Sequence, residues 1–518
     1  MDLNMKHGVN PDTIIRVVII VFFIALFVFI CFVEPFAYGE LDDYSFPVAS
    51  ILNTHNFAIE PSDIEYYRTL FPDFAELTES YSLSGFNTLD GTGELTWYFP
   101  VYSLVCVPLT VLFKLIHVKT VFAFQFTNYL FWLGSVLFVC KFLKTDDKRI
   151  RYVLMLLLTV NPIINYLTWV SAEVVIYSLI AAGMTCWYNR WFRRAAVFIS
   201  AAAIMNPTVF MIGILMIIDY FINLYQEGRK NKPAAVLADI ISYGACYIIG
   251  LIPFGYFYYH TGHFNLSAAY DSYTSGGENV FQRFFAYLFD LNYGLLPFFL
   301  VSLILFFIYI PLSIIRKKVR GLLFAAASLG LVFAYSLMVH INSGMSGISR
   351  YNAWGVVPLL FCVACFSPFT KEKINRGISI LLAASVSLTL IVTLSNPFNY
   401  MEFSPIASFV LDNCPGLYNP LHSTFRSRTI HIDGGYAEYY PVVYMTGDGV
   451  VTKILASSEY EDELIMNYYS EINEEEYETI VDSLTDDPAY INIPRNLGVR
   501  PKPGCIPNQL PAGYERWG

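Results

Sequence analysis

The sequence predicts an α-helical polytopic membrane protein of about 11 transmembrane helices, with a small mixed α/β domain at its C-terminal end. Three observations carry this expectation. Of the 518 residues, 55% are hydrophobic and only 14% charged, against roughly 25% charged in ordinary soluble domains. Long apolar runs recur along the first 395 residues. The gaps between them alternate between basic and acidic.

The first apolar run goes from Val17 to Val33. With its flanks it is long enough to cross a bilayer. Lys6 and Arg16 precede it, and Glu34-Pro35-Phe36 stands where a small-residue cleavage site would be. The run therefore reads as an uncleaved anchor. Ten further runs centre on 120–140, 152–170, 174–188, 195–205, 208–224, 235–257, 293–315, 321–340, 352–368 and 377–395. The 195–224 region divides at Asn206-Pro207, because proline breaks a helix and restrains the residue before it.

Orientation follows from the loops. With the N-terminus inside, the inner pieces are 1–16, 141–151, 189–194, 225–232, 316–320 and 371–376. They hold 20 of the 32 Lys and Arg but six of the 42 acids. The outer pieces hold the other 12 basic residues and 34 acids. This is the positive-inside distribution, and the reverse orientation fails at almost every loop. The expectation is a multi-pass cell-membrane protein with a cytoplasmic N-terminus and an extracytoplasmic tail.

Residues 1–395 form the expected membrane domain, with 34–119 as its first outer loop. Phe99 to Ile116, broken by Pro100 and Pro108, is placed along the outer interface. The tail, 396–518, mixes turn signals with short apolar runs. The turns are Asp433-Gly434-Gly435 and Gly447-Asp448-Gly449; the runs are Tyr440–Met445 and Val450–Leu455. A Glu-rich, helix-like segment covers about 459–483. Cys414 and Cys505 are able to pair if the tail lies outside the cell. Cys362 and Cys365 read as small hydrophobes. The net charge of −10 gives no general attraction for a phosphate chain, so nucleic acid is not an expected partner.

The sharpest chemical signal is Gly39-Glu40-Leu41-Asp42-Asp43-Tyr44. Three acids stand just beyond the outer end of the first run. One reading is a solvated boundary, where an acid costs less than in mid-membrane. The other is a carboxylate at the membrane edge that takes the proton of an acceptor hydroxyl. Glu40, Asp42 and Asp43 also offer hard oxygens that suit a divalent cation, Mg or Mn. No His pair has metal spacing, so no other metal site is expected.

These residues carry a resemblance. Asp42-Asp43 followed by Phe46, Ala49 and Leu52 resembles the first-loop pattern of the GT-C glycosyltransferases, the class of protein O-mannosyltransferases and aminoarabinose transferases. Trp97-Tyr98-Phe99-Pro100-Val101-Tyr102 resembles the aromatic-proline stretch late in that loop. Asn161-Pro162 with Ser171-Ala172-Glu173 resembles the third outer corner. Asp290 to Pro297, with Gly294-Leu295-Leu296-Pro297, resembles the start of a later span. Arg350-Tyr351 resembles the Arg-Tyr corner. Asn206-Pro207 departs from an Arg-Pro corner, no Trp-Trp-Asp motif is present, and the phosphate-binding lysine of the aminoarabinose enzymes is not evident.

The resemblance implies a transferase of the bacterial cell envelope. It would move a sugar from a polyprenyl-phosphate donor to a glycan, lipid or protein acceptor on the outer face. Asp42 would be the general base with Asp43 beside it. The substrate-binding candidates are Glu173, Arg283, Asp290, His340, Arg350 and Tyr351. Arginine binds phosphate through a planar fork, which suits Arg350 and Arg283 to the departing lipid phosphate. Each of these also has a plain reading, as a snorkelling or loop-bracing arginine or, for Glu173, a helix-end acid. Other functions stay open: a transporter or flippase of lipid-linked sugar, a polymerase or ligase of lipid-linked glycans, and a receptor or scaffold. A transporter would place polar groups and broken helices in mid-membrane.

Overall fold

Lipid offers no hydrogen-bond partners, and a helix satisfies its backbone within one segment. The computed structural model describes residues 11–36, 40–80, 86–226, 233–266, 269, 278–338, 347–395, 401–431, 441–460, 488–502 and 508. Every apolar run contains helix. Helix α1 covers Pro11–Phe32. The first loop holds α2 (Leu41–Asn53), α3 (Pro61–Leu70), α4 (Leu77–Ser80), the short pair β1 (Phe86–Asn87) and β2 (Glu94–Leu95), and α5 (Val101–Leu115). Then come α6 (Phe122–Phe142), α7 (Lys148–Thr159), α8 (Glu173–Tyr188), α9 (Phe192–Met205), α10 (Phe210–Gln226), α11 (Pro233–Ala245) and α12 (Ile252–Thr261). They are followed by α13 (Val280–Phe289), α14 (Leu295–Ile315), α15 (Val319–Ser336), α16 (Arg350–Gly355), α17 (Val357–Cys365) and α18 (Glu372–Ser395).

Among the described residues, six segments are long and apolar enough to cross a membrane: Phe122–Phe142, Pro207–Gln226, Val236–Thr261, Leu295–Ile315, Val319–Ser336 and Glu372–Ser395. Four shorter apolar helices accompany them: Val17–Phe32, Val101–Leu115, Glu173–Tyr188 and Arg350–Cys365. The chain is therefore a multi-pass, membrane-integral protein. The expected run over 152–170 is not one helix. It stops at Thr159, where Asn161 caps a 3-10 turn (Pro162–Tyr166) through its side chain and Pro162 removes a backbone donor. Helix α7 has 12 residues and α9 has 14, so both fall short of a full crossing.

The chain folds as two compact units. The first comprises 1–271, 299–334 and 353–390; the second comprises 272–298, 335–352 and 391–518. The tail expected at 396–518 thus shares its unit with two upstream segments.

In the first unit α8 is buried on all sides, from Glu173 to Trp187 with only Leu179 less covered. A helix apolar all round belongs in a core. Small residues let α9 approach it: Ala195, Ala196, Ala202 and Ala203 are buried, and a Cβ on Gly183 would stand 2.8 Å from Ile199 Cδ1. Close backbone approach is how helices associate in lipid. One end of the bundle is pinned by a buried acid. Asp219 Oδ2 accepts from Trp187 Nε1 (2.8 Å) and Arg320 Nε (3.1 Å). Arg320 Nη2 reaches the carbonyls of Trp187 (2.9 Å) and Tyr188 (3.2 Å). The Trp187 ring stacks on Phe324 at 4.1 Å. Helices α8, α10 and α15 are tied at one point.

The second unit carries α19 (Pro405–Asn413), α20 (His422–Ile430) and an antiparallel sheet of β3 (Val442–Met445), β4 (Val451–Ala456) and β5 (Ala489–Asn492), in the order β3-β4-β5. Val443, Val451, Ile454 and Ile491 fill one face. Ala407, Leu411, Phe425, Val442 and Leu455 fill the other. The turn at Gly447-Asp448-Gly449 links β3 to β4, with Gly449 at φ 81°. The Asp433-Gly434-Gly435 turn, most of the 459–483 segment and Cys505 lie outside the described residues; Cys414 is exposed and free. Lys453 of β4 is buried. Its Nζ donates to Asn419 Oδ1 (2.6 Å) and to Asn492 Oδ1, above the Tyr490 ring at 4.6 Å. Burial pushes its ammonium down to about 7.

Two predictions follow from these contacts. Asp219→Ala strands the Arg320 guanidinium and should cost about 3 kcal/mol, seen as a lower Tm of the purified protein in detergent. For Lys453 the folded state binds its proton more weakly than the unfolded chain. Its contribution therefore grows as pH rises from about 7 toward about 10.4. Lys453→Met should flatten that rise in a Tm-versus-pH series.

Candidate functional site

Helix α2 starts with acids in its first turn, where the helix dipole favours them. Its other face carries Tyr44, Ser45, Phe46, Val48, Ala49 and Ser50, all buried. Helix α3 braces it: Phe46 stacks on Tyr67 at 4.1 Å, and Ser45 Oγ contacts Tyr67 Oη at 3.1 Å. Asn53 and Thr54 donate to the buried Asp63. Helix α5 closes the other side, where Ser103 Oγ donates to the Tyr44 carbonyl at 2.7 Å.

The two motifs of the first loop meet here. Trp97 N donates to Asp43 Oδ1 at 3.4 Å. Tyr98 Oη donates to Glu40 Oε1 at 2.8 Å. The Tyr44 ring stacks on Tyr98 at 5.3 Å and meets Tyr102 edge-on at 4.9 Å. Asp42 Oδ1 accepts the Asp43 N–H at 3.0 Å. Both aspartates are half-buried. Burial raises the Asp42 carboxyl, against the pull of backbone N–H groups. Burial and then the Asp42 charge push the Asp43 carboxyl well above its ordinary value.

The corner before α8 joins the same cluster. Phe36 N donates to the Thr168 carbonyl (2.8 Å), and Val170 N donates to the Phe36 carbonyl (3.2 Å). The Tyr44 hydroxyl takes the Ala172 N–H; burial, then Glu173, then Asp43 raise it well above its usual value. Glu173 is buried and accepts from Trp354 Nε1 at 2.5 Å. The structure thus gathers Glu40, Asp42, Asp43 and Glu173 around Tyr44. Sequence reasoning missed Tyr44, Tyr98 as the Glu40 partner, and Trp354. The signal for Tyr44 was its place beside the acid pair; that for Trp354 was its place four residues after Arg350.

No protein-family model matches this chain, and neither does any curated protein or solved structure. Any statement about function therefore rests on the residues themselves. Among the described residues no group of three or more His, Cys, Asp or Glu is arranged to hold a metal ion.

The remaining expected residues belong to the second unit. The buried Arg283 donates from Nε to the Ser336 carbonyl (2.9 Å) and from Nη1 to the Glu278 carbonyl (2.7 Å). These bonds account for its burial without a ligand. Asp290 caps the end of α13. Its Oδ1 accepts from Asn292 N and Tyr293 N, and its Oδ2 from Tyr418 Oη at 2.8 Å. The return is so tight that a Cβ on Gly294 would stand 2.6 Å from the Asp290 backbone. Arg350 is buried, donates to Tyr351 Oη (3.2 Å) and lies 5.0 Å from that ring. Tyr351 stacks on Tyr335 at 5.7 Å. His340 lies outside the described residues.

The raised carboxyl of Asp43 makes a prediction about stability. The folded state holds its proton more tightly than the unfolded chain does. Its favourable contribution is present at low pH and is lost as pH rises through the window between the ordinary and the raised value. Asp43→Asn should therefore be at least as stable as the native protein at pH 7, with the difference vanishing at low pH. Tm scans of both proteins across pH check this; a lower Tm for Asp43→Asn at pH 7 contradicts it.

Proposed function

We propose that the protein is a membrane glycosyltransferase. It moves a sugar from a polyprenyl-phosphate donor to a hydroxyl of an outer-face glycan, lipid or protein acceptor. The observation that carries this reading is the pair Asp42 and Asp43, half-buried with raised carboxyls, inside a frame of tyrosines that follows the first apolar helix. A carboxyl lifted toward working pH is a better proton acceptor than an ordinary one.

The reaction divides simply. Asp42 takes the proton of the acceptor hydroxyl. The acceptor oxygen forms a bond to the sugar C1 as the bond from C1 to the phosphate oxygen breaks. The electron pair leaves with the polyprenyl phosphate. Burial raises the Asp42 carboxyl, while Asp43, pushed higher by burial and the Asp42 charge, keeps its own proton and leaves Asp42 as the base. The sequence resemblance to GT-C enzymes and the basic bias of alternate loops support the rest. The N-terminus is then cytoplasmic, the acid cluster and the tail are outside, and the setting is a bacterial cell envelope with about 11 membrane helices. Glu40, Asp42 and Asp43 are not arranged together as a metal site, so no step of the proposed reaction is assigned to a divalent cation.

Sugar transfer from a radiolabelled polyprenyl-phosphate sugar pool in membranes tests this. Asp42→Asn should reduce transfer by about 10²–10⁴-fold at equal protein level. The native rate should rise with pH along a limb lying above about 4, the ordinary carboxylate value, because burial raises Asp42. Equal product from both proteins removes Asp42 from the chemistry. No product from either counts against a transferase and moves weight to a transporter of lipid-linked sugar.

A further inference from the structure

A second constellation stands in the first unit, on the loops that carry the basic bias. Two adjoining open hollows, of about 390 and 360 Å³, share Trp191, Arg193 and Arg194 as lining. Phe138, Phe142 and Phe198 extend the second between α6 and α9. The Phe138 and Phe198 rings meet edge-to-face at 5.5 Å, and Phe142 meets Trp191 at 6.3 Å. Cations stand over these rings. Lys144 Nζ is 4.9 Å and Arg194 Cζ 5.1 Å from the Trp191 centroid; Lys141 Nζ is 5.2 Å from that of Phe142. Arg193 is ion-paired with Asp239. Lys141, Lys144 and Arg194 are exposed, and none has an ion pair among the described residues.

We propose that this groove binds one anionic phospholipid of the leaflet that meets this end of the helices. Arg194 and Lys144 face the phosphate, and an acyl chain lies along Phe138 and Phe198. Water satisfies the cations but leaves the aromatic wall and the exposed Val197 uncovered. A free phosphate does the same. A neutral lipid covers the wall but adds no charge to meet three unpaired cations. Only a lipid with a net negative headgroup matches both halves. Cations held against aromatic faces at a membrane boundary gain most from an anionic surface. The proposal rests on the membrane-integral fold and not on the proposed sugar transfer.

The test uses the full chain, purified in a neutral detergent. It is titrated with phosphatidylglycerol or phosphatidylcholine, and bound lipid is counted by native mass spectrometry. Phosphatidylglycerol should bind more tightly than phosphatidylcholine. The double variant Lys144→Gln, Arg194→Gln should weaken phosphatidylglycerol binding by on the order of tenfold, since each cation near an anionic lipid is worth about fivefold. Arg194→Gln alone, a gentler change, should fall between. Lys373→Gln, an exposed cation outside the groove, should bind as the native protein does. Inorganic phosphate should not displace the lipid. Equal binding by the native and double-variant proteins, equal binding of the two lipids, or displacement by inorganic phosphate overturns the proposal, the last in favour of a soluble-anion site.

Discussion

The seating of Tyr44 fixes the acid cluster that follows the first apolar helix. Its carbonyl is held by Ser103, its ring by Tyr98 and Tyr102, and its hydroxyl by the Ala172 N–H. These contacts come from α5 and from the corner before α8, more than 50 and more than 120 residues along the chain. A side chain gripped at both ends leaves the first turn of α2 no freedom to rotate. Asp42, Asp43 and Glu40 are then presented in one orientation. Ring pairs of this geometry contribute beyond the area they bury, which is how a short helix outside the apolar core keeps a fixed place.

That placement runs against electrostatics. Two adjacent carboxylates, both half-buried, repel each other and lose hydration. Water-facing side chains would relieve both costs, and α2 has an exposed position at its far end, Asn53. The acids instead point into a frame of tyrosines. The backbone N–H groups of Asp43 and Trp97 take part of the burden of the aspartates, and the Tyr98 hydroxyl part of that of Glu40. Strongly shifted acids gathered in this way are a mark of sites that handle protons, although structural networks also produce them. Asp290 shows the contrast. It is more deeply buried, but Asn292, Tyr293 and Tyr418 together occupy both of its oxygens. Its surroundings have been built to satisfy it, whereas those of Asp42 leave one oxygen for something else.

Much of the helical plan was legible in the sequence because apolar runs have one good solution in lipid. The acid pair was legible because adjacent aspartates beside an apolar anchor stand out. What sequence could not supply was distance. Nothing local says that Trp97 and Tyr98 reach back to α2, that Phe36 pairs with Thr168 and Val170, or that Trp354 meets Glu173. Spacing also misled at 152–170, where hydropathy runs on through Asn161-Pro162 but the backbone does not. Arg283 was legible as an unusual outer cation. Its two carbonyl partners were not, since a guanidinium over backbone oxygens leaves no pattern in composition.

The interior of the first unit bears on whether its helices offer a polar route between them. A route through the bundle would need polar groups facing one another across helices. Several interior hydroxyls do the opposite: Thr127, Ser178 and Thr185 each donate to the carbonyl four residues earlier in their own helix. That habit satisfies the group and hides it. The buried acid Asp219, at one end of the bundle, is held by Trp187 and Arg320 and so acts as a tie. Trp132 Nε1 and Ser200 Oγ, in mid-helix, are buried without a hydrogen bond, while the exposed cations Lys141, Lys144 and Arg194 stand over the rings of Phe142 and Trp191. Asp42 and Asp43, half-buried with raised carboxyls, are therefore a better starting point for a test of function than the self-satisfied hydroxyls inside the helices.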